Sequence, residues 1–182
     1  FPDPMAAGRS YNVSITMQNT GSTTWTKAEG YKLGAVDGYN GALFGGARHE
    51  LADGEAVGPG ASKTFAFTVT APGAFTYFAV WQMVREGVHW FGDQPNKTIT
   101  VVDVNDADVV SSTIPSTMLT GQSYSVSVTM KNTGSTTWTQ ANEYKLGAVN
   151  DTDPFGPGRI VLGASDSIAP NASKTFSCGS PR

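Results

Sequence analysis

Apolar and polar positions alternate along this chain with a period of two. Tyr11, Val13, Ile15 and Met17 alternate with Asn12, Ser14, Thr16 and Gln18. Tyr124, Val126, Val128 and Met130 do the same against Ser125, Ser127, Thr129 and Lys131. Successive side chains of a strand point to opposite faces, so the pattern predicts strands with one side on a core and one in water. Phe65, Phe67 and Val69 form a third such run, and Tyr77, Ala79, Trp81 and Met83 a fourth. A turn at Arg85-Glu-Gly87 then leads into Val88-His-Trp-Phe91, and residues 97–103 read as a further strand. Gly8, Asn19-Thr-Gly21, Gly58-Pro-Gly60 and Pro72-Gly73 supply the turns. No ten-residue stretch carries helical periodicity. Many short strands in about 100 residues predict an all-β sandwich of immunoglobulin type.

The same text occurs twice. Asn19-Thr-Gly-Ser-Thr-Thr-Trp25 returns as Asn132-Thr-Gly-Ser-Thr-Thr-Trp138, and Tyr31-Lys-Leu-Gly-Ala-Val36 as Tyr144-Lys-Leu-Gly-Ala-Val149, both at an offset of 113 positions. A repeat of this length is a whole domain rather than a solenoid unit. The chain therefore reads as tandem immunoglobulin-like sandwiches: residues 1–105, and a truncated second copy at 106–182. Phe1-Pro2 aligns with Ile114-Pro115, so the first copy lacks a counterpart of 106–113, its first strand. The second copy follows the first as far as Ser173-Lys-Thr-Phe176 and has no counterpart of 66–105. Residues 177–182 leave the repeat altogether and read as an altered reading frame or a gene-prediction artefact at the end of a fragment.

Charge and composition narrow the function classes. Charged residues make up 15% of the chain and the net charge is −3, with no basic stripe, so nucleic acid is not an expected partner. No apolar run is long enough for a membrane span. The single Cys178 allows neither an intrachain disulfide nor a cysteine-based zinc site. His49 and His89 stand alone, without a second ligand at metal spacing. Sequons occur at Asn12, Asn96, Asn150 and Asn171, in a Thr-rich chain where chance matches are frequent.

The ordered set Asn19-Thr-Gly-Ser-Thr-Thr-Trp25, Pro59-Gly60, Ala71-Pro-Gly73, Trp81-Gln-Met83 and Trp90-Phe-Gly-Asp93 resembles the four-tryptophan (FW) Ig-like domain. That family includes the central domain of selective-autophagy receptors and many prokaryotic surface or secreted proteins. Trp25 and Trp81 match its tryptophans; Ile15 and Val128 stand where the family often has another, and none follows Gly92. The resemblance implies a divergent prokaryotic member: a non-catalytic sandwich for protein interaction or display, at the cell surface or outside the cell. Autophagy function is not carried over.

Individual residues suggest more local roles. Trp25, Trp81, Trp90 and Trp138 are expected in the core; Trp25 and Trp138 could alternatively offer faces for sugar stacking. Phe78 and Val80 alternate away from Trp81 and form a candidate interaction surface. Asp103, Asn105, Asp106 and Asp108 cluster between the copies, spelled much like cadherin linkers. They are a weak candidate for calcium, which needs six to eight oxygens, more than this linker supplies. Asp53 and Glu55 could in principle serve glycosidic chemistry, but the second copy has Ala164-Ser-Asp166 in their place. There is no nucleophile elbow and no phosphate loop. The expectation is a non-enzyme without cofactors, serving adhesion, spacing or protein binding in a repetitive protein. The alternative is a carbohydrate- or protein-binding accessory of a secreted enzyme. Expected partners are neighbouring copies of the module and a protein or glycan.

Truncation adds one more expectation. The second copy lacks counterparts of Phe67, Tyr77, Trp81 and Trp90. At about 25 cal/mol per Å² of buried apolar surface, several missing aromatics outweigh the roughly 5–15 kcal/mol that stabilises a domain. The copy should be molten alone or exchange a strand with another chain at its open edge.

Overall fold

The computed structural model describes residues 1–151 and 158–179. The fold is all-β: apart from the 3-10 turns Asn40–Leu43 and Val149–Asp151, every regular element among the described residues is a strand. No helix among them is long and apolar enough to cross a membrane. The chain divides into two compact units, Phe1–Val102 and Asp103–Arg182.

The first unit contains β1 (Met5–Ala6), β2 (Ser10–Gln18), β3 (Trp25–Thr26), β4 (Tyr31–Ala35), β5 (Arg48–Glu50), β6 (Ala56–Val57), β7 (Ser62–Thr70), β8 (Phe75–Arg85), β9 (His89–Phe91) and β10 (Asn96–Val102). One sheet has the order β1-β10-β8-β4-β5, with β9 added to β8. A second pairs β2 with β7 in antiparallel register from Ser10↔Thr70 to Gln18↔Ser62. Short β3 and β6 join Trp25 to Val57. Alternation decides which side chains meet. Val13, Ile15 and Met17 of β2 and Phe65 and Val69 of β7 share one core with Leu33 and Ala35 of β4, Ala79, Trp81 and Met83 of β8, and Ile99 and Val101 of β10. Two layers with their inward residues in one cluster make this unit sandwich-like. Phe1 lies against Trp81, with ring centroids 5.0 Å apart.

The second unit contains β11 (Ala107–Ser112), β12 (Ser125–Asn132), β13 (Trp138–Thr139), β14 (Lys145–Gly147), β15 (Arg159–Val161), β16 (Ser167–Ile168) and β17 (Ser173–Gly179). β12 to β17 stand in the sequence positions of β2 to β7, and their pairings repeat. β12 pairs with β17, β13 with β16, and β14 with β15. The registers repeat too: Met130↔Lys174 and Trp138↔Ile168 answer Met17↔Lys63 and Trp25↔Val57. β11 pairs antiparallel with the other edge of β12, from Ala107↔Asn132 to Ser112↔Val128. Among the described residues β2 has no such neighbour. The divergent tail begins within β17, where Ser177, Cys178 and Gly179 continue the ladder opposite Ser127, Val126 and Ser125. Residues 180–182 lie outside the described part.

Candidate functional site

The motif that most strongly marks the repeat builds the turn rather than a binding surface. Asn19 is fully buried. Its side-chain amide donates to the carbonyls of Thr23 (2.7 Å) and Val57 (2.8 Å), and its Oδ1 accepts from the Gly21 N–H (3.1 Å). Asn132 repeats this with Thr136 (2.7 Å), Ile168 (2.9 Å) and Gly134 (3.1 Å). Each amide so satisfies backbone groups that would otherwise be buried without partners. Trp25 and Trp138, held at the end of this turn, are 4% and 7% exposed. Neither ring stands open on the surface as a platform, though Trp138 borders a hollow. The sequence reading took these asparagines as turn residues and missed their burial. The signal available was their exact recurrence in both copies.

Two residue placements differ from expectation. Trp90 is half-buried and outside the core cluster. β9 pairs Phe91 with Met83 and Trp90 with Val84. Directly paired residues share a face, so Phe91 follows Met83 inward and Trp90 goes to the outer face. There it lies over Gly34, where an added Cβ would come within 2.7 Å of the ring. The Arg48 guanidinium stacks 4.7 Å from the ring centroid. Val80 is 3% exposed and is not a surface residue. The segment after β4 covers β8 there: Val36 donates to the Val80 carbonyl (3.0 Å), and a Cβ on Gly41 would sit 2.6 Å from that oxygen. Phe78, 44% exposed, stays at the surface beside Tyr39, with ring centroids 5.7 Å apart. Trp81 is buried at 1%.

The acidic linker is tied into the second unit. Asn105 Oδ1 accepts from Thr136 Oγ1 (2.6 Å) and from the Tyr144 hydroxyl (2.7 Å). Asp103 Oδ1 accepts from Ser135 Oγ (3.2 Å), and Asp106 Oδ1 from the Ala107 N–H (3.1 Å). The segment passes so close to the Asn132 turn that a Cβ on Gly134 would lie 2.3 Å from the Val104 carbonyl oxygen. Asp108 is exposed on β11. Among the described residues no three His, Cys, Asp or Glu side chains gather as a metal site.

Glu55 proves to have a counterpart after all. Its carboxylate accepts from Lys63 Nζ (2.7 Å) and the Ala52 N–H (2.9 Å). Asp166 accepts in the same way from Lys174 Nζ (2.5 Å) and the Gly163 N–H (2.8 Å). The lysine hydrogen bond, then the amide, holds each carboxyl below its ordinary pKa. Asp53 pairs with Lys27 at 2.9 Å. These carboxylates carry ion pairs on turns and strand ends, and Glu50, which shares Lys27 with Asp53, is likewise held below its ordinary pKa by that lysine.

An apolar opening lies in the second unit. A hollow of about 380 Å³ is lined chiefly by Met130, Trp138, Tyr144, Leu146, Leu162 and Phe176, with the linker residues Asn105 to Ala107 at its rim. Compared with known protein families and with curated proteins, the chain matches none.

Proposed function

We propose that this chain is a non-catalytic structural and interaction module of a repetitive cell-surface or secreted protein, in which both units are copies of one FW-type immunoglobulin-like sandwich. The observation that supports this reading is where the repeated residues go. Asn19 and Asn132, Trp25 and Trp138, and the Glu55–Lys63 and Asp166–Lys174 pairs all serve the fold. A chain that repeats its scaffold and gathers no catalytic constellation among its described residues suits spacing, display or adhesion.

The competing reading is a carbohydrate-binding accessory of a secreted enzyme, favoured by the aromatic pair Trp138 and Tyr144 beside the hollow. A glycan array probed with the whole chain separates the two. A spacer or protein-binding module leaves the array blank, whereas selective binding of one polysaccharide would overturn the proposal. An antibody against the chain should label intact source cells or their medium; labelling confined to permeabilised cells would remove the surface assignment.

A further inference from the structure

In the first unit the sheet of β2 and β7 ends in an open edge at β7. β7 pairs with β2 alone, in one unbroken register. Its ends show which main-chain groups β2 takes. The Asn19 N–H donates to the Ala61 carbonyl (2.8 Å), and the Ala71 N–H to the Arg9 carbonyl (2.9 Å). Hydrogen-bonded and non-hydrogen-bonded pairs alternate along an antiparallel ladder. Lys63, Phe65, Phe67 and Val69 therefore bond to β2. Ser62, Thr64, Ala66, Thr68 and Thr70 turn their N–H and C=O groups the other way, and all of them are exposed. Among the described residues no main-chain group meets them there. This edge belongs to the fold of the module. In the second unit β11 joins β12 on the edge away from β17. A strand in that place would lie beside β2 and leave the β7 edge as it is.

Edges that must stay single are kept short, charged or bulged. β5, at an edge of the other sheet, has three residues and carries Arg48 and Glu50. β7 runs for nine residues with no proline and no bulge. Its one charge is engaged elsewhere: Lys63 Nζ lies 2.7 Å from both carboxylate oxygens of Glu55 and 5.7 Å from the centroid of the Phe65 ring. The outer face of the strand is serine, threonine and alanine. It already makes hydroxyl contacts across to β2, with Thr16 and Thr64 at 2.8 Å and Ser10 and Thr70 at 3.1 Å.

The strand's own sequence points to its occupant. Residues 64–68 read Thr-Phe-Ala-Phe-Thr, the same in both directions. Two copies of β7 laid antiparallel about a two-fold axis at Ala66 set Ala66 on Ala66, Thr64 on Thr68 and Phe65 on Phe67. Each of these residues meets its own kind, and Ser62 meets Thr70. The pairs that would exchange hydrogen bonds are those whose main-chain groups already face outward. Phe67, half-buried in one copy, gains an aromatic neighbour. We infer that the β7 edge is an interface for a second copy of this chain, joined strand to strand into a continuous β2-β7-β7-β2 sheet. An acidic or basic peptide would find no complementary charge on it. The inference goes beyond the proposed function and holds equally for a spacer and for an accessory module.

The test is sedimentation of the full chain over a concentration series, which should show a monomer–dimer equilibrium. Ala66→Lys puts like charges where the two copies meet and should weaken the dimer by about tenfold or more. The position stands in solvent, so the monomer should keep its fold. Disulfides read the register independently, in a Cys178→Ser background. Ala66→Cys places two thiols on directly opposed residues with Cα atoms about 5.5 Å apart, within disulfide reach, and should crosslink under mild oxidant. Thr68→Cys leaves its two thiols four residues out of step, about 13 Å apart, and should stay reduced. A chain that remains monomeric throughout would overturn the inference. So would a dimer that ignores Ala66→Lys, or crosslinks equally at both positions, because the copies would then meet at another edge or in another register.

Discussion

The two units place the same residues in nearly the same backbone and give them different fates. Leu33 is wholly buried and Leu146 half-buried; Phe1 packs on Trp81, while its counterpart Ile114 is 56% exposed. The buried core cluster of the first unit draws on every strand except β5 and β9, whereas Trp138, Leu162, Ile168 and Phe176 make up that of the second. Local pairing and turn chemistry thus recur without β8, β9 and β10, but burial does not. The turn, its buried asparagine and the strand registers belong to the local text. The energy of the apolar face comes from the partner strand, which is remote in sequence.

The strongest way to break this comparison is to cut the same side chain in both units. Leu33→Ala should cost about 2–5 kcal/mol, as a buried leucine leaving a cavity. Leu146→Ala should cost well under about 2 kcal/mol, because much of its surface already meets water. Urea titrations followed by the amides of β2 and of β12 read the two units separately. Equal losses would mean that the second face is covered in solution.

The fold class was legible because alternation and turn residues are local signals. β2 and β7 show the period-two burial that the sequence pattern predicts. Trp90 was misplaced because its face depends on the β8–β9 register, and a single-residue difference across a hairpin reverses a side chain. Val80 was misplaced because alternation describes one strand and cannot see a loop folding over its outer side. The linker's hydrogen bonds were out of sight for a similar reason. The partners, Ser135, Thr136 and Tyr144, lie some thirty to forty positions onward. Glu55 seemed unrepeated because the second copy spells the same ion pair with the shorter Asp166.

A smaller effect should be alike in both units. Asn19→Ala leaves the carbonyls of Thr23 and Val57 without their donor, and Asn132→Ala does the same to Thr136 and Ile168. Each loss should cost about 1–3 kcal/mol. Aspartate is no remedy, since an ionised carboxylate cannot donate to a carbonyl. Thermal melts resolved by hydrogen exchange should show matched penalties. A penalty in the first unit alone would mean that the second turn is not formed in solution, and the shared scaffold would have to be given up.

The smallest effect should separate the units again, through pH. His49 stacks on Phe67 with centroids 3.8 Å apart, and burial lowers its pKa below the ordinary histidine value. Its counterpart is Ile160, which cannot titrate. On acidification the unfolded chain takes up a proton at the ordinary value while the folded chain resists it, so the unfolded state binds more protons in that window. The first unit should therefore hold constant stability above about pH 6.5 and lose some as pH falls through the depressed pKa, while the second stays level. Towards pH 4 both should weaken, because the lowered carboxyls of Glu55 and Asp166 contribute stability above their unfolded pKa and lose it as the folded groups protonate. His49→Phe keeps a ring on Phe67 and removes the titrating group. It should flatten the first unit's slope between pH 7 and 5 and leave the acid limb unchanged. A slope that survives in the variant would assign the near-neutral step to some other group.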